Sequence, residues 1–71
     1  MEYDFELFGF NFRYFFDADV DEYCHQDLEG YEVYVDDILV AEIFNITKDK
    51  LFGMEEDEII ELIEDNRVTL A

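Results

Sequence analysis

Polar and apolar residues alternate from the start of the chain, with Glu2, Asp4 and Glu6 on one side and Tyr3, Phe5 and Leu7 on the other. A period of two marks a strand with one buried face, so residues 2–7 are predicted to form a strand. The apolar phase then slips by one, to Phe8, Phe10, Phe12, Tyr14 and Phe16. A slip of one residue requires a bulge or a turn. The expected form is a hairpin turning near Gly9–Asn11, with a second strand over about residues 12–17.

Residues 17–30 are polar and acidic and read as a loop, with a short helical turn around Asp21–Gln26 as a variant. Tyr31–Val35 and Ile38–Phe44 are β-rich runs around Asp36-Asp37, which suits a two-residue hairpin turn. Such a turn pairs Val35 with Ile38 and Val33 with Val40. From Met54 onward the period becomes helical, with Ile59, Leu62 and Ile63 on one stripe and Ile60 at its margin. Glu55, Glu56 and Asp57 suit the positive N-terminus of that helix, and Arg67 its C-terminal end. Gly53 separates it from Thr47–Phe52, where Thr47 is placed to cap a short helical turn. All three glycines are isolated and read as turns or caps. The predicted class is α+β: a small four-stranded antiparallel sheet of two hairpins with a C-terminal helix packed on one face. With no proline, repeat or low-complexity linker, residues 1–71 are expected to be a single acidic domain.

Composition explains how so short a chain can fold. A domain of this size buries only roughly 60% of the surface that its unfolded form exposes. The compensation is bulk: 51% of residues are hydrophobic and 18% aromatic, with eight Phe and five Tyr. That content is too apolar for intrinsic disorder.

Charge changes the picture most. Arg13, Lys48, Lys50 and Arg67 stand against 21 acidic residues, a formal net charge of −17. Self-repulsion on that scale opposes compaction, and solubility alone is met by a net charge of about 2–8. The excess points to recognition of a basic partner. Direct binding to nucleic acid or to an anionic membrane is disfavoured, because no clustered cations are present to meet phosphates. No apolar run approaches the ~20 residues needed to span a bilayer. Met1-Glu2-Tyr3-Asp4 lacks the basic start and apolar stretch of a secretion signal. Cys24 alone forms no internal disulfide and fits a reducing compartment. The expected address is the cytoplasm, or a host's cytoplasm for a phage-encoded chain.

The acids fall on three scaffolds. Glu2, Asp4 and Glu6 repeat along the first strand at roughly 6.8 Å, a spacing comparable with that of phosphates, which rise ~3.4 Å axially and lie farther apart through space. Asp17, Asp19, Asp21 and Glu22 fall in the acidic segment that follows, and Asp57, Glu58, Glu61, Glu64 and Asp65 project onto one helix face. Together these twelve residues are the candidate partner-binding set.

Catalytic and metal chemistry are poorly signalled. Asp17-Ala18-Asp19-Val20-Asp21 opens like a calcium loop, but its sixth position is Glu22 rather than Gly and its twelfth is Leu28. Cys24-His25 has no second Cys or His to complete a metal set, and no orienting group or oxyanion donor for catalysis. No enzyme activity and no cofactor are expected.

In size and composition the chain is similar to the small acidic inhibitors carried by phages and mobile elements, although no motif or alignable segment carries the likeness. The resemblance implies a nucleic-acid mimic, such as an anti-restriction or anti-CRISPR protein, whose partner is the basic surface of a nucleic-acid-binding protein. The alternative is a small oligomeric interaction module whose acidity serves solubility and partner choice. Thirteen aromatics are many for one small core, and any left exposed suit a protein interface or a homodimer seam. A third reading is a Ca²⁺-dependent binding domain.

Overall fold

The computed structural model describes residues 2–21 and 24–68. Four strands, β1 (Phe5–Leu7), β2 (Phe10–Asp21), β3 (Cys24–Val35) and β4 (Ile38–Phe44), form one antiparallel sheet in the order β1-β2-β3-β4. Two helices follow, α1 (Lys48–Phe52) and α2 (Glu56–Asp65). The class is the expected α+β sheet with a C-terminal helix on one face.

Turn chemistry sets the register at two corners. Phe8 and Gly9 have φ of 53° and 83°, and Leu7 faces Phe10 across them. Two positive φ angles in a two-residue loop twist in the sense that antiparallel strands require. The first turn therefore sits at Phe8-Gly9, ahead of the expected Gly9–Asn11. Asp36 and Asp37 repeat the device at φ 52° and 61°, with Val35 facing Ile38 as expected. Beyond that pair the ladder slips, so that Tyr34 faces Leu39 while Val33 faces Ala41 and not Val40. A bulge at Val40 has absorbed one residue.

The largest departure lies in residues 17–30. They are not a loop: Asp17–Asp21 continue β2, Cys24–Gly30 begin β3, and the two pair from Asp17↔Leu28 to Asp21↔Cys24. Within the expected helical turn around Asp21–Gln26, residues 21 and 24–26 are strand, and Glu22 and Tyr23 lie outside the described residues. β1 pairs β2 only as far as Phe12, and β4 pairs β3 only down to Gly30. The β2–β3 hairpin thus projects past its neighbours as a two-stranded ribbon.

The core lies between the sheet and the helices. Phe12, Val33 and Ala41 form a row across three strands, closed above by Leu51, Ile59 and Ile63 and joined by Tyr31, Ile43 and Ile46. Burial of Phe12, Leu51, Ile59 and Val33 is complete, each worth about 1.5–3 kcal/mol of transfer free energy. Thr47 caps α1, its hydroxyl accepting the Lys50 N–H at 3.3 Å. Glu55 is the N-cap of α2 and the Glu58 carboxylate reaches back to accept its N–H at 3.3 Å, in the manner of a capping box, so the helix starts where the acid-rich turn predicts. Its buried residues are Ile59 and Ile63, while Ile60 at the stripe margin is exposed. After α2 the chain runs back along the outer edge of β4, where Glu42 N–H meets the Asn66 carbonyl at 3.3 Å and Val68 N–H the Val40 carbonyl at 3.1 Å. That edge is thereby covered against further pairing. Among the described residues no helix is long and apolar enough to cross a membrane.

Candidate partner-binding surface

The three acidic groups occupy three separate parts of the fold. Of Glu2, Asp4 and Glu6, all exposed, only Glu6 lies within a strand, because β1 begins at Phe5. Asp4 sits at a bend and extends the ladder by other means: its N–H donates to the Phe12 carbonyl at 2.8 Å and its carboxylate accepts the Tyr14 N–H. The bend also redirects Tyr3. Phe5 stacks on Phe12 in the core, whereas Tyr3 packs on Tyr34, on the sheet face away from the helices, with ring centroids 5.3 Å apart. The expected uninterrupted row of three carboxylates is therefore broken at Asp4, which is engaged in the backbone ladder.

Asp17, Asp19 and Asp21 hold alternate positions of β2, facing Leu28, Gln26 and Cys24 in register, and Glu22 lies outside the described residues. An extended strand spaces such residues along a line. A calcium loop has to curl its first, third and fifth ligands around one ion, so this backbone does not fit that reading. Among the described residues no group of three or more His, Cys, Asp or Glu is placed to hold a metal ion.

On α2, Asp57, Glu58, Glu61, Glu64 and Asp65 are all exposed, opposite the buried Ile59 and Ile63. Two have local partners. Glu58 accepts the Glu55 N–H at 3.3 Å, and Glu64 meets Arg67 at 3.7 Å. Both members of that pair are more than 60% exposed, so it contributes at most about 1 kcal/mol. The Asp57-Glu61-Asp65 line rises about 6 Å per step, since four residues of helix advance that far.

The strand and helix rows do not merge. β1 lies at one edge of the sheet, and α2 packs against β4 at the other. Beside β1 stands α1, whose Lys48 ammonium lies 5.8 Å from the Phe5 ring centroid and 5.5 Å from that of Phe52. Exposed carboxylates instead stand on β1, β3, α1 and α2 and in the Asp36-Asp37 turn. Among the described residues Arg67–Glu64 is the one ion pair, and every described carboxylate side chain is exposed except Glu32 and Glu42, which are half-buried.

Some features of the surface have no counterpart in the candidate set. Glu29 accepts the Tyr14 hydroxyl at 3.0 Å, and Asp37 accepts that of Tyr3. Each bond favours the neutral phenol, so Tyr14 is held above its ordinary value and Tyr3 is pushed up to about 12. Tyr31 is also raised, by burial first and then by the charges of Asp4, Asp49 and Glu29. Exposed aromatics are numerous: Phe8, Tyr14, Phe16, Phe44 and Phe52 all present large area to solvent. Their excess over core capacity was visible in composition, but which of them emerge depends on the fold: Phe8 sits in the first turn, Phe16 lies past the β1 pairing, and Phe44 alternates with the core residue Ile43. Between α2 and the sheet lies a small groove lined by Phe10, Val40, Ile60 and Ile63 with Glu64 and Arg67 at its rim.

Comparison with protein-family models, with curated proteins and with solved structures gives no match.

Proposed function

We propose that this chain is an acidic binding protein that occupies the basic nucleic-acid site of a target protein, as nucleic-acid-mimicking inhibitors of the phage or mobile-element type do. The observation that carries the reading is the uncompensated charge: a net −17 over the chain, with one exposed ion pair among the described residues and no described carboxylate buried. A charge set by the fold is already arranged before the partner arrives, so binding loses less entropy than it would with a floppy acidic tail. Arg and Lys of the target would pair with the α2 carboxylates, whose roughly 6 Å steps offer a repeat of the kind that a phosphate chain presents. Association is fast at low salt and weakens steeply as salt screens the field. The mechanism is competition for a site and needs no bond-making step.

The exposed aromatics favour a second reading, an interaction module that binds through apolar area, with acidity serving solubility. The triple variant E58Q/E61Q/E64Q separates the two. Gln at 58 retains the capping-box geometry, so α2 stays formed. A mimic loses about tenfold or more in affinity for its captured partner at low salt. Unchanged affinity selects the module.

A further inference from the structure

An aromatic ladder runs over the helix side of the sheet beyond α1. Phe52 packs on Phe5 at 4.8 Å between centroids, Phe5 on Tyr31 at 5.3 Å, and Tyr31 on Tyr14 at 5.6 Å. Phe16 follows Tyr14 two residues along β2, opposite Glu29. Its two ends are open: Phe52 is 50% exposed, Tyr14 44% and Phe16 53%. β1 pairs β2 only as far as Phe12, so Tyr14 and Phe16 lie beyond it, and both are exposed.

Carboxylates from three separate segments border this strip. Asp4 precedes β1, Glu29 belongs to β3, and Asp49 to α1. Glu29 and Asp4 both bond to Tyr14, and all three act on the Tyr31 hydroxyl through their charge. One end of the ladder already holds a cation, the Lys48 ammonium over Phe5 and Phe52. The other end, Tyr14 to Phe16, has the same combination of ring faces and nearby negative charge without a described cation over it.

We infer that the Tyr14–Phe16 end of the ladder is a docking position for an arginine side chain of a basic protein partner. A planar guanidinium stacks on a ring face while its N–H fork meets a carboxylate, a pairing that an ammonium cannot reproduce. Charge complementarity selects this occupant over a second copy of the chain, since two bodies of −17 repel. The inference rests on the reading of the chain as a binder of basic surfaces. It adds that aromatic stacking, and not only charge, sets which cation is accepted.

The test uses nona-arginine and nona-lysine peptides as probes, titrated calorimetrically at about 20 mM NaCl, where screening is weak, with aromatic NMR shifts to locate the contact. Nona-arginine binds at least about fivefold more tightly than nona-lysine, and it shifts the Tyr14 and Phe16 ring signals. F16S lowers nona-arginine affinity about threefold to tenfold and nona-lysine affinity less than about twofold. Phe16 is exposed, so the variant folds, and unchanged far-ultraviolet dichroism verifies it. E29Q, which keeps both rings, also weakens nona-arginine. Equal affinity for the two peptides overturns the inference, as does an F16S loss no greater for nona-arginine than for nona-lysine. So does self-association through Phe16 that excludes the peptide. Loss confined to E58Q/E61Q/E64Q overturns the docking position and leaves the proposed function standing. Ladder-dependent arginine binding by a chain that displaces no nucleic acid does the reverse.

Discussion

Replacing Gly30 by alanine tests the sheet where sequence and structure differ most. A Cβ built on Gly30 falls 2.0 Å from the Ile43 carbonyl oxygen and 3.0 Å from both the Ile43 carbonyl carbon and Phe44 Cα. These are backbone atoms of the neighbouring strand, so no side chain can swing away. Relief requires a shift of about 1 Å at the Gly30–Phe44 pair, next to the Asn45 N–H bond to the Glu29 carbonyl at 2.9 Å. Overpacking of this kind costs about 3 kcal/mol, the upper part of the usual range, because the obstruction is rigid. Stability for a chain of this length is about 4–10 kcal/mol. The expected result is a Tm lower by about 12–24 °C and a urea midpoint lower by on the order of 2–3 M. Gly53→Ala is the matched control, since its Cβ meets nothing nearer than 3.6 Å and its φ is an ordinary −86°. That change is expected to be neutral or to stabilise by about 0.4–1 kcal/mol. Thermal and urea unfolding followed by circular dichroism read both variants. A Gly30→Ala protein within about 3 °C of the parent would refute the close approach of β3 and β4 at this point.

In α2, Ile59→Ala costs about 2–5 kcal/mol while its neighbour Ile60→Ala stays within about 1 kcal/mol, because Ile59 is fully buried and Ile60 is 40% exposed; equal losses in urea unfolding would mean that α2 packs in another rotation. Stability rises with added salt, by about 1 kcal/mol or 4–8 °C in Tm between low and half-molar NaCl, since self-repulsion is screened and little ion pairing is lost; a flat or falling melt series contradicts this. Tyr3 holds its proton more tightly folded than unfolded, so its contribution is complete below pH 10, its ordinary value, and is lost as pH rises towards 12. Tyr3→Phe is therefore expected to flatten part of the decline in urea midpoint over that window, and a variant with the parent's slope would remove the Tyr3–Asp37 bond as its cause.

The strands whose apolar residues touch a core were legible in the sequence. Phe5, Leu7, Val33, Ile43 and the Ile59–Ile63 stripe pack as their periods require, and Asp36-Asp37 turns where two strand runs demand it. The ribbon was not. Aspartate is a poor strand former, and its repetition at 17, 19 and 21 reads as loop chemistry. Yet Phe16, Ala18 and Val20 continue the phase of Phe12 and Tyr14, and that continuity was the available signal. Phe8 misplaced the first turn because a bulky aromatic seldom adopts positive φ. The bulge at Val40 lay hidden in an unbroken apolar run, Ile38-Leu39-Val40-Ala41, where a slip of one residue leaves no mark. For the surface, the residue types were readable and their arrangement was not, because sequence order does not reveal that β1 and α2 lie at opposite edges.

The central claim is that the folded acidic surface takes the place of nucleic acid on a basic partner. The direct measurement is nucleic-acid binding by a protein captured with this chain at low salt and released at high salt, titrated with the chain at low ionic strength. The partner's apparent Kd for nucleic acid is expected to rise in proportion to the added chain, and E58Q/E61Q/E64Q to be a weaker competitor. An unchanged nucleic-acid Kd at saturating chain would contradict it.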